Sequence, residues 1–136
     1  MTVSELIANE FAQTLPWPLC LDNRKSAPDA PAVYALWCEN QFARLIGNSN
    51  VLYIGSTLRL GGGTDGSRLY SYRFSPQPHS KAMRERTQSL VQAGHTVLLR
   101  WIEIPSEEQA RTKERELLAL HLSEHLEYPP FNGKRA

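Results

Sequence analysis

The sequence of 136 residues has only two cysteines, a formal net charge of +1 and no long uninterrupted apolar run. Cys20 and Cys38 are far apart and form no C-x-x-C pair, so neither a zinc knuckle nor a dense disulfide framework is expected. No segment reaches the length of a membrane-spanning helix, and the first residues carry Glu5 and Glu10 where a secretory signal has a basic start and an apolar run. We therefore expect a cytoplasmic protein with reduced thiols and no membrane partner.

What is present is the composition of an ordinary globular domain, with 41% apolar and 21% charged residues. The small net charge gives no reason by itself to expect a nucleic-acid partner, because many nucleic-acid-binding proteins are far more basic. The charge is unevenly distributed, since residues 59–86 contain six basic and two acidic side chains, a local net charge of +4. This excess would suit phosphates, although charge alone favours a solvent-exposed helix face with loop arginines.

Hydrophobic periodicity and turn residues predict an α/β fold with three strands. The predicted order is a helix over 3–14, a loop to residue 31, strands over 32–38 and 50–55 joined by an irregular connection, a glycine-rich loop over 57–67, helices over 68–74 and 80–93, a strand over 95–104, a helix from 106 to about 126, and an extended tail. Gly94 is the predicted C-cap of one helix, and Ser106 with Gln109 forms a predicted capping box at the start of the last.

Glu114 is the most informative charged residue of the last helix. At 100° per residue it shares one helix face with Ala110, Leu117, Leu118 and His121, whereas Glu116 projects from the opposite side. A carboxylate among apolar neighbours is costly unless it is paired, protonated or bound to a cation. Either a cation site or an ion pair, with Arg111 or with a nearby arginine at the rim of this face, would explain its position.

Two tyrosines on neighbouring predicted strands, Tyr34 and Tyr53, form the second informative group. Tyrosine is common on strands because its ring packs well, so each is also compatible with a core position. The functional interpretation is that both hydroxyls project towards Glu114, one to position or deprotonate a water and the other to bind it or a phosphate oxygen. Arg68 would stabilise the charge on a pentacoordinate phosphorus, with Arg59 and Arg73 as rivals for that role.

These residues resemble the motifs of the GIY-YIG nuclease superfamily over residues 32–132. The matching positions are Val33-Tyr34 for the first motif, Tyr53-Ile54-Gly55 for the second, Arg68 for the helical arginine, Tyr72 where many members have histidine and excision-repair incision subunits have tyrosine, Glu114 to Leu118 for E-x-x-L-I, and Pro130-Phe131-Asn132 for the terminal P-x-N. Ala32 stands where the family has glycine, Ser56 stands where repair members have lysine, and insertions lengthen the spacing between motifs.

The resemblance implies an endonuclease that hydrolyses phosphodiester bonds in DNA, with RNA not excluded. It implies one divalent cation, Mg²⁺ or Mn²⁺, held by Glu114, and Tyr34 as the favoured general base. A tyrosine pKa near 10 means that Tyr34 would need Arg68 or a cation nearby to act as a base at neutral pH. The implied fold is a small three-stranded, mainly antiparallel sheet flanked by helices in residues 32–136, preceded by an N-terminal helix and linker in residues 1–31. One such site makes one cut, so double-strand cleavage would require a homodimer or two binding events.

Several further residues are secondary candidates. They are His79 and Asn132 at the catalytic site, and Arg59, Arg73, Lys81 and Arg84 for binding the nucleic-acid backbone. His79 would contact a phosphate or act as a general acid, and it is equally well explained as a solvated residue at a helix start. His121 and His125 are one turn apart, but Leu122 stands where a metalloprotease helix has its glutamate, which disfavours zinc.

Two other functions remain compatible with the sequence. One is a nucleic-acid-binding or protein-interaction module that keeps the fold without turnover, which the near-neutral charge and the long insertions leave open. The other is an unrelated α/β domain in which all the tyrosines are core residues.

Overall fold

The structure, a computed structural model, describes residues 1–22, 26–63 and 65–133. The helices are α1 Val3–Glu10, α2 Leu19–Asp22, α3 Arg68–Phe74, α4 Pro78–Gln92 and α5 Glu107–His125; the strands are β1 Gln13–Trp17, β2 Ala32–Ala43, β3 Asn48–Thr57 and β4 Val97–Glu103; a 3₁₀ turn spans Pro130–Asn132. Parts of the predicted linker (residues 23–25), glycine-rich loop (residue 64) and domain end (residues 134–136) lie outside the described residues.

The sheet has four antiparallel strands in the order β1-β4-β2-β3, so the prediction of three strands is wrong. The missed strand is β1, which pairs with β4 from Gln13 to Trp17. In the sequence, the helical spacing of apolar residues continues from α1 as far as Leu15, so Pro16 indicates the end of a helix rather than part of a strand. β1 is an edge strand, where a proline is tolerated because no second neighbour needs its missing N–H. The first helix is accordingly shorter than predicted and ends at Glu10.

β2 lies between β3 and β4, and both of its faces are covered. Tyr34 and Leu36 belong to a core cluster that includes Leu69 of α3 and Met83 of α4. Val33, Ala35 and Trp37 belong to a second cluster on the opposite face, together with Ile7 of α1 and Leu117 of α5. Burial on both faces explains why residues 32–38 form a continuous apolar run rather than an alternating one.

The β2–β3 hairpin is longer than predicted, because most of the expected irregular connection is strand. The ladder shifts register between Leu36 and Trp37 and again before Phe42. The chain then turns at Gly47, whose φ of 71° favours glycine. The register brings Tyr34 directly opposite Gly55, and Leu36 opposite Tyr53.

Helix ends largely follow their predicted signals. Gly94 has a φ of 93° just after α4, as its C-cap role requires. Ser106 Oγ accepts a hydrogen bond from the Gln109 backbone N–H at 3.2 Å, which is one of the two bonds of the predicted capping box. The tail is not extended as predicted, because its last described residues fold into the 3₁₀ turn. None of the described helices is both long and apolar enough to cross a membrane.

Candidate active site

A polar pocket of about 430 Å³ lies at the outer edge of β3. Its lining residues are Tyr53, Ser56, Arg68, His79, Arg111, Glu114, Arg115 and Leu118. Tyr53 belongs to the core cluster on the α3 and α4 face, whereas Ser56 pairs across the sheet with Val33 of the opposite cluster. The pocket therefore gathers side chains from both faces of the sheet around one edge strand.

Glu114 lies on the wall of this pocket and is partly buried. The burial of α5 follows the predicted face, with Leu117 and Leu118 buried and Glu116 exposed. Ser56 Oγ donates a hydrogen bond to Glu114 Oε1. Among the residues that the structure describes, the Glu114 carboxylate has no ion-pair partner. Arg111 instead pairs with Glu107 at 3.2 Å, so the alternative of a Glu114–Arg111 ion pair does not hold in this structure.

Arg68, the first residue of α3, lines the same pocket as Glu114. Ser67 caps that helix by accepting a bond from the Tyr70 backbone N–H at 3.2 Å, which fixes where Arg68 emerges. The nearby Tyr34 hydroxyl, opposed by burial, raises the pKa of Arg68, so the guanidinium stays charged. Arg68 Nε is buried and has no hydrogen-bond partner among the described residues. A buried donor without a partner calls for an explanation, and an anion bound beside Arg68 would supply one.

Tyr34 does not line the pocket but lies directly behind it. Its ring is 6.0 Å from that of Tyr53 between centroids, and its hydroxyl is 2.5 Å from the hydroxyl of Tyr72. Both Tyr34 and Tyr72 are fully buried. Burial is the main cause that raises the pKa of each above its ordinary value of 10. The Tyr72 hydroxyl is in turn 3.5 Å from Nε2 of His79, which is on the pocket wall.

Gly55 allows the two tyrosine rings to pack at this depth. A Cβ atom at residue 55 would lie 2.7 Å from Cζ and Oη of Tyr34 and 2.7 Å from Cε2 of Tyr53. These distances are far inside van der Waals contact, so no side chain fits there without moving a ring. The close packing of the two tyrosine rings therefore explains why residue 55 is a glycine.

Asn132 is buried and holds the edge of β3 rather than lining the pocket. Its Oδ1 accepts from the Ile54 backbone N–H at 3.0 Å, and its Nδ2 donates to the Ile54 carbonyl at 2.9 Å. The side-chain amide thus replaces a neighbouring strand at one residue of an edge strand. Because Ile54 lies between Tyr53 and Gly55, Asn132 fixes the segment that carries the tyrosine.

The four cations expected to bind a nucleic-acid backbone do not line this pocket. Arg59 forms a two-pronged ion pair with Asp29 at 2.8 and 2.9 Å. Arg84 donates to backbone carbonyls at the C-terminal end of α3, which is a structural use of its guanidinium. Arg73 lies beside Phe74 and lines a different pocket, and Lys81 is exposed on α4.

Arg111 and Arg115 were not predicted as binding residues, yet both line the pocket beside Glu114. Arg111 lies three residues before Glu114 and shares its helix face, whereas Arg115 is the next residue and projects to one side of that face. The position of Arg111 on the Glu114 face was the signal in the sequence for a pocket residue. It was missed because an ion pair between Arg111 and Glu114 explained the same spacing.

His121 and His125, the pair disfavoured for zinc, have structural partners. His121 Nδ1 lies 2.7 Å from the Glu127 carbonyl, and His125 Nδ1 lies 2.7 Å from the Ile46 carbonyl. Burial is the main cause that lowers the pKa of His121 below 6.5. Within residues 1–22, 26–63 and 65–133, no three His, Cys, Asp or Glu side chains lie close enough together to hold a metal ion.

Compared with known proteins, the chain matches no family model, no curated protein and no solved structure at a significant level.

Proposed function

We propose that the chain is a metal-dependent endonuclease of the GIY-YIG type, which hydrolyses phosphodiester bonds in DNA. One observation carries the proposal. A single polar pocket brings together Tyr53, Arg68 and Glu114, which are far apart in the sequence. A hydroxyl, a charged guanidinium with an unpartnered N–H, and a carboxylate without an ion pair are the groups that metal-assisted phosphodiester hydrolysis uses.

The donor set suits a Mg²⁺ or Mn²⁺ ion. Mg²⁺ is commonly bound by one or two carboxylates, with waters and substrate phosphate oxygens as the remaining ligands. Glu114 offers one carboxylate, held by Ser56 at one oxygen, and the polar lining leaves room for waters. A bound cation would supply Lewis-acid stabilisation of the charge that develops on the phosphoryl group.

Arg68, which lines the same pocket, would bind the same phosphoryl group. Its side chain is partly buried, and a charged hydrogen bond in such a site is stronger than in water. The guanidinium gains most as negative charge accumulates in the transition state. Arg115 adds a positive charge to the pocket on α5 and would contact a flanking phosphate, beside Arg111, which is ion-paired with Glu107.

The positions of the tyrosines favour a division of roles. Tyr53 lines the pocket and would orient the attacking water, whereas Tyr34 is buried and its raised pKa opposes loss of its proton. Tyr34 and Tyr72 would then position Tyr53 through ring packing and their shared hydrogen bond. We place this reaction in the cytoplasm, where the free thiols of Cys20 and Cys38 would stay reduced.

The test is a nicking assay with supercoiled plasmid, single-stranded DNA, branched DNA and RNA, each with Mg²⁺ or with EDTA. We expect Mg²⁺-dependent nicking of at least one DNA substrate. Arg68→Ala should reduce kcat by about 10²–10³-fold, as does loss of one donor to a developing oxyanion. Lys113→Ala, which removes a cation that is ion-paired with Glu10 and does not line the pocket, is the control. Binding to DNA without nicking would favour the module without turnover and would reject the nuclease.

A further inference from the structure

A second pocket, of about 480 Å³, lies between the β2–β3 hairpin, the C-terminal half of α4 and the terminal 3₁₀ turn. Its walls are mainly apolar and include Phe42 of β2, Leu52 of β3, Leu90 of α4 and Phe131 of the turn. The two phenylalanines are only partly buried, so their rings remain accessible from the pocket.

An arginine side chain lies over each of the two phenylalanine rings of this pocket. Arg44 Cζ lies 5.9 Å from the centroid of the Phe42 ring, and Arg86 Cζ lies 5.7 Å from that of Phe131. A guanidinium over a ring makes a flat aromatic surface; that surface is positively charged at Arg86, whereas Arg44 is ion-paired with Glu127. Two such pairs in one pocket suit a flat π-system attached to an anionic chain.

Two buried polar atoms of the lining residues have no hydrogen-bond partner in the described part of the chain. They are Nε of Arg44 and Nδ1 of His95. Arg44 is fixed in place, because its Nη2 donates hydrogen bonds to the Glu127 carboxylate and to the Tyr128 carbonyl. Leaving buried polar atoms unpaired costs free energy, which a ligand with a polar edge would recover.

We propose that this pocket binds an unpaired nucleobase of the nucleic-acid strand whose phosphate enters the candidate active site. The rings of Phe42 and Phe131 would stack on the base, and the unpartnered atoms of Arg44 and His95 would bond to its polar edge. Base–aromatic stacking with arginine support is how single strands are commonly held. The positive charge of Arg86 suits the phosphates on either side of the base.

Two elements connect the pockets and set the spacing. On α4, His79 lines the candidate active site and Arg86 lines the second pocket; seven residues at about 1.5 Å each separate them by about 10 Å. On β3, the neighbours Tyr53 and Leu52 line one pocket each. Stacked nucleotides advance about 3.4 Å each and unstacked ones further, so the bound base would lie within about three nucleotides of the phosphate at Arg68. This spacing argument rests on the proposed function.

The experiment is equilibrium binding of a single-stranded oligonucleotide that contains 2-aminopurine, followed by its fluorescence in EDTA so that no cleavage occurs. We expect the emission to change on binding, and an abasic residue at the same position to weaken binding about tenfold or more. Phe131→Leu should weaken binding to the base-containing strand but not to the abasic strand. Arg86→Ala, which also removes a charge beside the flanking phosphates, should weaken binding to both strands, and to the base-containing strand more. Phe74→Leu, at an exposed phenyl ring on α3 outside the pocket, is the matched control.

The proposal is overturned if the abasic strand binds as tightly as the base-containing one, or if neither Phe131→Leu nor Arg86→Ala weakens binding. If Phe131→Leu fails to fold, Arg86→Ala decides, because the Arg86 side chain is exposed. Glu114→Gln should retain base-dependent binding in EDTA. Base-dependent binding without nicking would therefore reject the nuclease and keep the base pocket, whereas nicking with base-independent binding would reject only the base pocket.

Discussion

Gly55→Ala is the smallest change that should disturb the candidate active site. The added Cβ would lie 2.7 Å from Cζ and Oη of Tyr34 and from Cε2 of Tyr53. All of these atoms belong to buried aromatic side chains, which cannot turn aside as a flexible chain end can. Carbon atoms prefer separations of about 3.5–4.0 Å, so the rings must move by about 1 Å.

Two opposing terms set the size of the effect. Overpacking a well-packed core costs about 1–3 kcal/mol. Alanine restricts the unfolded chain more than glycine does and so recovers about 0.4–1 kcal/mol, because the backbone at Gly55 has no positive φ. We expect a net loss of about 1–2 kcal/mol in the free energy of unfolding. For a domain of this size that corresponds to a fall in Tm of about 4–8 °C.

Thermal unfolding and plasmid nicking would measure the change together. A displacement of about 1 Å at a catalytic group can cost about 10²-fold in rate, so nicking should fall more than stability suggests. The control is the same substitution in a Tyr34→Ala background, where two of the three close contacts are gone. There Gly55→Ala should cost less, with a coupling free energy of about 0.5–3 kcal/mol between the two sites. Equal costs in both backgrounds, or a wild-type Tm for Gly55→Ala, would refute the packing argument.

Three further predictions concern neighbouring groups. Asn132→Ala should lower the free energy of unfolding by about 2 kcal/mol or more in urea titrations, because it orphans the buried backbone N–H and carbonyl of Ile54; an unchanged urea midpoint would contradict this role. Tyr72→Phe should cost about 1–3 kcal/mol by leaving the buried Tyr34 hydroxyl without its 2.5 Å partner, and stability equal to wild type would show that another group takes over. Burial lowers the pKa of His121 in the folded state, so the unfolded chain binds a proton at this residue more readily than the folded chain does. The contribution of neutral His121 to the free energy of unfolding is therefore complete above its unfolded pKa of about 6.5 and is lost as the pH falls below it. His121→Gln should flatten the dependence of Tm on pH below 6.5, and an unaltered slope would exclude His121 as the cause.

Much of the fold is readable from the chain because local signals and tertiary packing agree. α3 begins and ends at the predicted residues, Arg68 and Phe74, with Ser67 as its N-cap. β1 was missed because its identity depends on pairing with β4, about 80 residues later in the chain, as in the pair Trp17 and Val97. In a five-residue segment that contains a proline, no local sequence pattern is strong enough to indicate an edge strand.

Some features of the candidate site could likewise be predicted from the sequence, and others could not. Glu114 is found by helical phase alone, because its helix has one apolar face and the structure keeps that face inward. The depth of Tyr34 behind Tyr53 and the bonds from Asn132 to β3 depend on tertiary contacts, which no spacing reveals. Arg59 could not be distinguished from Arg68 by charge, since only the fold shows that Asp29 neutralises Arg59.

In the proposed mechanism, Glu114 holds the cation required for cleavage. The most direct measurement is the Mg²⁺-dependent nicking rate of Glu114→Gln beside that of Glu116→Gln, which makes the same chemical change on the exposed side of the same helix. We predict that Glu114→Gln folds normally and loses more than about 100-fold in rate, because even the outer partners of metal ligands are worth about 10–100-fold, while Glu116→Gln nicks at a rate close to wild type. A Glu114→Gln protein that nicks as fast as Glu116→Gln would contradict the claim.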